Sequence, residues 1–310
     1  MSENKKIFAT PKIRKFAREL GANLAEIEGS ERAGRITEED VKKFVNKNLN
    51  KSQTKENVKV KSEFDHSDFG DVEIIDMPRV KRLAAPHLAN SWNTIPHVTH
   101  HDEADITELE DFRTKLTDQI SGDKIKITPL AFIAKALTNN LKKFPRFNSS
   151  IDNISDGKIT LKKYFHIGIA VDTAHGLMVP KIRNVDQKKI KEIAEELKNV
   201  SELSRNLKIN KKEFFGGSIT ITSLGGIGGT YFTPIINYPE VAILGVGRSY
   251  KKQIFIKDKF LARTVLPISL SYDHRIIDGA EAAKFCNSLK ENLGKDFKST
   301  KNKRNRRNKD

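Results

Sequence analysis

The sequence predicts a mixed α/β domain of roughly 225 residues, with a small helical unit in front of it. Two short helical patterns near the amino terminus are followed by a stretch rich in lysine, asparagine, serine and glutamine at residues 46–70. From Val72 to about Leu293, helical and strand-like apolar patterns alternate. At 310 residues, the chain is long enough for one large core and one small domain.

The amino-terminal unit is predicted from two helix starts. Thr10 supplies a hydroxyl N-cap ahead of Pro11, and apolar residues follow at helical spacing until Gly21 ends the helix. Thr37, followed by three acidic residues, marks the second start. We therefore expect two short helices and a glycine-containing loop within residues 7–45. A unit of this size buries little apolar area, so it needs tight packing to be stable.

The elements of the larger domain are predicted from apolar spacing. Residues three and four apart recur on one face of the helical segments, whereas short β-branched and apolar runs mark the strands. The alternation of the two patterns indicates an α/β (α+β) fold. The predicted helices cover 107–116, 129–141 and 190–207, and the predicted strands cover 166–171, 218–223, 241–246 and 266–271.

Composition excludes several classes of protein. No apolar run approaches the ~18 to 20 residues that span a bilayer, and the first residues lack the apolar stretch of a secretory signal. The single cysteine, Cys286, cannot form an internal disulfide and makes a poor metal site. We expect no metal site and no membrane insertion. The expected location is the cytoplasm of a bacterium, or an organelle matrix if the chain is eukaryotic.

The net charge of +16, from 56 basic and 40 acidic residues, is unevenly distributed. Residues 298–310 contain seven basic residues and one acidic residue. Such a segment could neutralise phosphates, but it has no interleaved aromatic residues on which bases would stack. A disordered, solubilising extension is the favoured interpretation, and nucleic-acid binding is the alternative.

The first segment with catalytic character surrounds His274. A strand-like run leads into this histidine, and Asp278 and Gly279 follow it. A histidine at a strand end can take a proton from a thiol or hydroxyl, and a nearby carboxylate can fix the local geometry. Without further context, a histidine with a purely structural role is the commoner explanation of this spacing.

The second segment is a strand-like run that enters a glycine-rich turn at residues 224–229. The turn has no lysine followed by serine or threonine and no GxGxxG pattern opening a helix, so a nucleotide-binding loop is disfavoured. Thr222 and Ser223 stand at the exit of the strand, where a hydroxyl can donate to a developing oxyanion. On spacing alone, a hairpin or bulge is the favoured explanation of the glycines.

Taken together, these segments resemble the dihydrolipoamide acyltransferase components of the 2-oxo acid dehydrogenase complexes, most closely the bacterial pyruvate dehydrogenase branch. The resemblance implies a peripheral subunit-binding domain at 1–46 and a flexible basic linker at 47–71. It further implies a chloramphenicol-acetyltransferase-like catalytic domain at 72–297 and a basic disordered tail at 298–310. The matching segments are 274–279 with the preceding 266–273, 232–237, 239–247, 95–99, 176–180 and, in the small domain, 17–21 and 34–36.

The resemblance implies an enzyme that moves an acetyl group between dihydrolipoamide and coenzyme A. In a homotrimer, His274 would act as general base on the thiol, and Thr222 of a neighbouring subunit would bond the oxyanion. Asp278 is implied as a structural charge partner, with Arg79 as its salt-bridge partner. Threonine replaces the serine usual in the pyruvate branch at position 222, which leaves other short acyl groups open.

The resemblance also implies partners. Arg14, Arg18 and Arg35 match the basic residues with which the small domain docks the pyruvate-decarboxylating component and dihydrolipoamide dehydrogenase. Coenzyme A is implied as a substrate, with no permanently bound cofactor. Nothing before Ile7 could form a lipoyl domain, so we expect either that a lipoyl-domain protein supplies the lipoyl group in trans or that this sequence is a fragment of a longer protein. The basic end of the chain, where the family has an apolar segment, favours an isolated trimer over a larger core.

A non-catalytic docking or assembly subunit of such a complex is the main alternative function. Its catalytic domain would only organise partner enzymes. The presence of His274, Asp278 and Thr222 argues against it, because docking requires none of these residues.

Overall fold

The computed structural model describes residues 8–53, 64–117, 127–151 and 156–294. The chain divides into two compact units, Met1–Ile75 and Asp76–Asp310. The predicted α/β (α+β) class, with an all-α unit in front, is confirmed. The predicted basic tail lies outside the described residues.

The first unit contains helix α1 (Pro11–Glu19) and helix α2 (Glu38–Gln53). Thr10 caps α1 as predicted, since its hydroxyl accepts a hydrogen bond from the Ile13 backbone N–H at 3.4 Å. Helix α2 runs seven residues past the predicted end of the small domain at 46, because no glycine or proline interrupts it there. The buried apolar residues of the unit are Ala17, Ile27, Ile36 and Val41.

Asp40 organises the loop between these two helices. Its Oδ2 accepts hydrogen bonds from the backbone N–H and the hydroxyl of Thr37, at 2.9 and 2.8 Å, and from the same groups of Ser30, at 3.1 and 3.0 Å. These bonds, above all that from the Thr37 backbone, lower the pKa of Asp40 to about 2. The carboxylate therefore joins the loop to the start of α2 in its charged form.

The second unit is built on a seven-stranded sheet. The elements in chain order are α3 (Arg79–Thr94), β1 (His97–Asp105), α4 (Thr107–Thr114), α5 (Pro129–Lys143), β2 (Ser149–Ser150), β3 (Thr160–Leu161), β4 (Ile167–Ile169), β5 (Lys181–Ile182), α6 (Ile190–Arg205), β6 (Ile219–Ser223), β7 (Ala242–Val246), β8 (Tyr250–Ile256), β9 (Lys259–Asp273) and α7 (Gly279–Leu293). The strand order of the sheet is β1-β9-β7-β6-β4-β5, with β8 paired beside β9. Strands β4, β6 and β7 run parallel to one another, and the remaining pairs are antiparallel.

The two faces of the sheet differ in chemistry. Because successive side chains of a strand alternate between faces, residues paired by register share a face. The core face carries apolar rows that pack with residues of α5, α6 and α7, whereas the opposite face carries hydroxyl and imidazole groups. One core row is Ile221, Leu244 and Leu270, and the neighbouring row on the opposite face is Thr222, Gly245, Ser269 and His101.

Candidate active site

His274 lies in the turn that follows β9. Its backbone N–H donates to the carbonyl of Pro96 at 3.1 Å, which attaches the turn to the chain just before β1. The imidazole is exposed, and its centroid is 5.9 Å from the ring of Tyr272. Within the described ranges, no protein group is hydrogen-bonded to the imidazole nitrogens. The ring is therefore accessible to an incoming proton donor, as a general base must be.

Asp278 ends the same turn and begins α7. Its Oδ1 accepts a hydrogen bond from the Glu281 backbone N–H at 2.8 Å, so the carboxylate caps the helix. Arg79 is the first residue of α3, and the described residues include no ion pair between Arg79 and Asp278. Their predicted salt bridge stays a prediction.

An ion pair between Asp273 and Arg275, which sequence reasoning missed, stabilises this turn. Asp273 is buried at the end of β9, and its carboxylate accepts from Nε and Nη2 of Arg275 at 2.9 and 2.6 Å. This forked hydrogen bonding raises the pKa of the Arg275 guanidinium further. The two residues flank His274 in the sequence, so the pair fixes the backbone on both sides of the imidazole. The opposite charges of Asp273 and Arg275, two residues apart in the sequence, could have predicted this ion pair.

His97 supports the turn from the neighbouring strand, where it is paired by register with Asp273. The backbone N–H of Ile236 donates to Nε2 of His97 at 3.0 Å, so Nδ1 carries the proton and donates to the carbonyl of Ile95 at 2.7 Å. The imidazole thereby joins the start of β1 to the loop at 224–241. Sequence reasoning placed His97 in a family-like segment but gave it no role.

Thr222 lies near the end of β6, half-buried on the polar face of the sheet, and is paired with Gly245. The predicted strand is confirmed, and it leads into the predicted glycine-rich turn. There the Leu224 N–H donates to the Val246 carbonyl at 2.9 Å, which extends the pairing of β6 and β7 beyond the strand ends. Gly229 adopts a φ of 89°, a backbone conformation that favours glycine.

A single chain does not bring Thr222 and His274 together. Thr222 is level with Ser269 two strands away, and His274 follows Ser269 by five residues. At the usual rise and spacing of strands, the two residues are about 17 Å apart along the sheet and about 10 Å across it. A thioester could not contact both side chains within one chain.

A buried polar network includes Thr220, which lies two residues before Thr222 in β6. Lys181 and Glu240, 1% and 2% exposed, form an ion pair of 2.6 Å. Glu240 also accepts from the hydroxyl of Thr220 at 2.6 Å and from the amide of Asn237 at 2.9 Å. The network therefore connects β5 and β6 to the end of the loop at 224–241. Gly217 allows this approach, because a Cβ there would overlap the Glu240 carboxylate.

The three arginines of the predicted docking site are exposed in the first unit. Arg14 and Arg18 lie one turn apart on α1, and Arg18 Nε donates to the Arg14 carbonyl at 3.3 Å. Arg35 follows Gly34 in the loop before α2. The structure thus presents cationic groups on this unit without showing what they bind.

No group of three or more His, Cys, Asp or Glu side chains is arranged to hold a metal ion among the described residues. Cys286 is fully buried, and burial raises the pKa of its thiol to about 12. None of the described helices combines the length and apolarity needed to cross a bilayer.

Two family models match the chain. Residues 69–298 match the catalytic domain of the 2-oxoacid dehydrogenases acyltransferase family. Residues 7–42 match the E3 binding domain. The two matches fall on the two compact units, and the resemblance proposed from sequence motifs is confirmed.

Similar curated proteins carry one description, the dihydrolipoyllysine-residue acetyltransferase component of the pyruvate dehydrogenase complex. The Cupriavidus necator protein is 46% identical over 291 residues, which cover 89% of this chain and 52% of that protein. The Haemophilus influenzae protein is 42% identical, with 91% and 52% covered. The Bacillus subtilis protein is 39% identical, with 93% and 66% covered. The chain thus spans about half the length of the first two relatives.

Solved structures of such cores also match. The dihydrolipoamide acetyltransferase of Azotobacter vinelandii has a TM-score of 0.73 and 44% identity, covering 77% of this chain and 98% of that one. It was studied for the roles of one serine, one histidine and one asparagine in its catalytic mechanism. The cubic core of a pyruvate dehydrogenase multienzyme complex matches with the same score, identity and coverage. The predicted catalytic-domain fold is therefore confirmed.

Proposed function

Because the chain belongs to the family of 2-oxoacid dehydrogenase acyltransferases, we propose that it transfers an acetyl group between coenzyme A and a thiol of dihydrolipoamide. The observation that carries this proposal is the exposed His274 imidazole, in a turn stabilised by the ion pair between Asp273 and Arg275. The similar curated relatives cited above are named as acetyltransferases. The relatives are bacterial, and a bacterial cytoplasm is the compartment we propose.

His274 is the proposed proton carrier. In transfer from acetyl-coenzyme A, it takes the proton of the attacking dihydrolipoamide thiol, and the thiolate sulfur bonds to the carbonyl carbon. The bond from that carbon to the sulfur of coenzyme A then breaks, and the departing thiolate receives the proton from His274. A free thiol has a pKa near ~8.5, so a base is needed for the attack near neutral pH.

Thr222 is the proposed donor to the oxyanion that forms when sulfur attacks the carbonyl. Separations in sequence support this role. Thr222 precedes His274 by 52 residues and Asp278 follows His274 by four, and the serine, histidine and asparagine studied in the Azotobacter protein have the same separations. The threonine keeps the hydroxyl that such a role requires.

We propose that two chains together form each site, as in the homotrimer expected from the sequence. The separation of Thr222 from His274 within one chain supports this arrangement, because each residue needs its counterpart from a neighbour. A cubic core built by a similar chain shows that this fold assembles into multi-subunit particles. Asp278, with Arg79 as its proposed partner, is a positioning residue for the turn.

The first unit is proposed to dock dihydrolipoamide dehydrogenase and the pyruvate-decarboxylating component through Arg14, Arg18 and Arg35. The match to the E3 binding domain and the exposure of the three arginines support this role. We expect Arg18→Glu to weaken binding to either enzyme in calorimetric titrations, most strongly at low salt. Lys15→Glu on the same helix is the matched control for charge alone. Unchanged affinity of the Arg18 variant at low salt would contradict the docking proposal.

The acetyl-transfer proposal is tested with free dihydrolipoamide. Purified protein is expected to consume acetyl-coenzyme A and form the acetyl thioester, and His274→Ala should lower the rate by ~100 to 10,000-fold. Circular dichroism and sedimentation would check that the variant keeps its fold and assembly. A folded oligomeric protein without activity would contradict the proposal and favour the docking or assembly subunit instead.

A further inference from the structure

The end of β9 is hydrogen-bonded to two other segments of the chain. The Asp273 backbone N–H donates to the carbonyl of Val241 at 2.9 Å, which attaches β9 to the loop at 224–241. The next backbone N–H, that of His274, donates to the carbonyl of Pro96 at 3.1 Å, which attaches the turn to the chain just before β1. The position of the turn therefore depends on how these two segments lie relative to each other.

His97 joins the same two segments to each other. Its Nε2 accepts the hydrogen bond from the Ile236 backbone N–H at 3.0 Å, and its Nδ1 donates to the carbonyl of Ile95 at 2.7 Å. The bond to Ile95 is local and sets the orientation and the tautomer of the ring. The bond to Ile236 joins residues 139 positions apart, so it connects the loop at 224–241 to the start of β1.

The residues around His97 make this acceptor necessary. Ile236 is 0% exposed and packs with Ile95 and Ile243 in a small apolar cluster. Its backbone N–H has no access to water there, and a buried N–H without an acceptor is costly. The ring of Trp92 lies beside the imidazole, with centroids 5.3 Å apart and planes inclined by 30°. The imidazole is therefore held between an aromatic ring and the N–H that needs it.

We propose that His97 is a positioning residue for acetyl transfer, which holds the His274 turn by keeping together the two segments to which that turn is bonded. This inference rests on the proposed function, since it takes His274 as the proton carrier. Without the bond from Ile236 to His97, the carbonyls of Val241 and Pro96 can move relative to each other. The backbone of His274 moves with them, and its imidazole leaves the position at which it meets the thiol.

His97 acts in this proposal through one accepted hydrogen bond and carries no proton to the substrate. Both of its ring nitrogens are bonded to backbone groups, so neither is available to a thiol. A displacement of about 1 Å at a reacting group can lower the rate by ~100-fold. Loss of the acceptor should therefore lower kcat by ~10 to 100-fold. The KM for acetyl-coenzyme A should change little, because a slower chemical step leaves KM to report binding.

Two amide substitutions separate the two bonds of the imidazole. In His97→Gln, the side-chain oxygen takes the position of Nε2 and can still accept from Ile236. In His97→Asn, the shorter amide reaches only the position of Nδ1 and can bond only to Ile95. With acetyl-coenzyme A and free dihydrolipoamide, His97→Gln in the full chain should keep most of the unmodified kcat. His97→Asn and His97→Leu should lose ~10 to 100-fold.

The matched control is His100→Gln on the same strand. His100 is paired by register with Leu270, so its side chain lies on the core face of the sheet and not on the polar face with His97. The kcat of this control should equal that of the unmodified protein. Thermal unfolding of each variant identifies loss of fold, and His97→Gln is compared with whichever of His97→Asn and His97→Leu folds.

The outcomes separate this inference from the function on which it rests. A kcat that persists in His97→Gln and falls in His97→Asn or His97→Leu supports the positioning role, and it also excludes proton transfer by His97, because an amide carries no proton. Equal kcat in the folded variants, whether high or low, refutes the role and leaves the proposed function intact. Absence of acetyl transfer by the unmodified protein refutes the proposed function, and the inference fails with it.

Discussion

His274 and Asp278 lie at opposite ends of one short turn, but their side chains have different surroundings. The imidazole is exposed and free of protein hydrogen bonds within the described ranges, whereas the carboxylate of Asp278 caps α7. A proton carrier must be exposed to the substrate, whereas a positioning residue must be hydrogen-bonded to the protein. The proposed roles of the two residues therefore differ in how much activity their substitution should remove.

Asp278→Asn should cost less activity than His274→Ala. The asparagine oxygen can still accept the hydrogen bond from Glu281, so the cap and the turn persist, while the alanine removes the proton carrier. Steady-state rates of both variants test the difference, and Asp278→Ala, which loses the cap, should cost about 1 kcal/mol of stability. Equal loss of activity in Asp278→Asn and His274→Ala, with both proteins folded, would be inconsistent with these roles.

Asp40 predicts a pH dependence of the first unit. Its folded pKa, about 2, lies below the ordinary value of 3.8, so the charged form stabilises the fold. This stabilisation is fully present above pH 3.8 and is lost as the pH falls toward 2. A carboxyl titration followed by NMR should place the midpoint of Asp40 near pH 2. In Asp40→Asn, the stability of the first unit should no longer show this loss as the pH falls toward 2. A midpoint at the ordinary value would show that the four hydrogen bonds do not favour the carboxylate.

At this scale, the sequence sufficed for His274 and Thr222 as candidates, because each stands where a strand ends in a recognisable motif. It did not suffice for Glu240. The importance of Glu240 comes from its ion pair with Lys181, which is far away in the chain and meets Glu240 only in the folded protein. Local spacing carries no information on such contacts.

Among the elements, those with regular apolar spacing were predicted and those shaped by tertiary contacts were not. Helices α4, α5 and α6 and strands β4, β6 and β7 fall where the sequence placed them, whereas β9 begins seven residues before its predicted start at 266. Strand β1 has the polar sequence HVTHHDEAD and is a strand because it pairs with β9 over its whole length. Helix α3 contains Pro86 and exposes Leu83 and Trp92, so it lacks a clear apolar face. Helix α7 and strand β8 were also missed.

The buried ion pair of Lys181 and Glu240, which links β5 to the loop before β7, should contribute to the stability of the second unit. Glu240→Gln would leave the Lys181 ammonium buried without a counter-charge, which should cost about 3–5 kcal/mol of unfolding free energy. Lys181→Met combined with Glu240→Gln should recover part of this loss. Denaturant unfolding followed by the fluorescence of Trp92, the only tryptophan, reports on the unit that contains the pair.

The matched control for this pair is Asp186→Asn. Its partner Lys142 is 47% exposed at 3.4 Å, so the loss should be only about 0–1 kcal/mol. If Glu240→Gln cost no more than this control, the buried ion pair would not stabilise the link between β5 and the loop before β7 as we infer.

The whole molecule is two units with separate tasks, a small helical domain proposed to dock partner enzymes and a sheet-based domain proposed to transfer acetyl groups. From the usual rise and spacing of strands, Thr222 and His274 are about 20 Å apart in one chain. Sequence motifs identified both residues as candidates. That the two residues belong to different subunits of one site was implied only by the family resemblance. The register of β6, β7 and β9 provides a physical reason for a site shared between chains.

The most direct test of a shared site is complementation between two inactive chains, His274→Ala and Thr222→Val. Each variant alone should transfer acetyl groups at a small fraction of the unmodified rate. When the two are unfolded together and reassembled in equal amounts, about a quarter of the interfaces in a ring should pair an intact His274 with an intact Thr222. The mixture should therefore recover up to about a quarter of the unmodified activity. A mixed assembly no more active than its separate parts would contradict a site built from two chains.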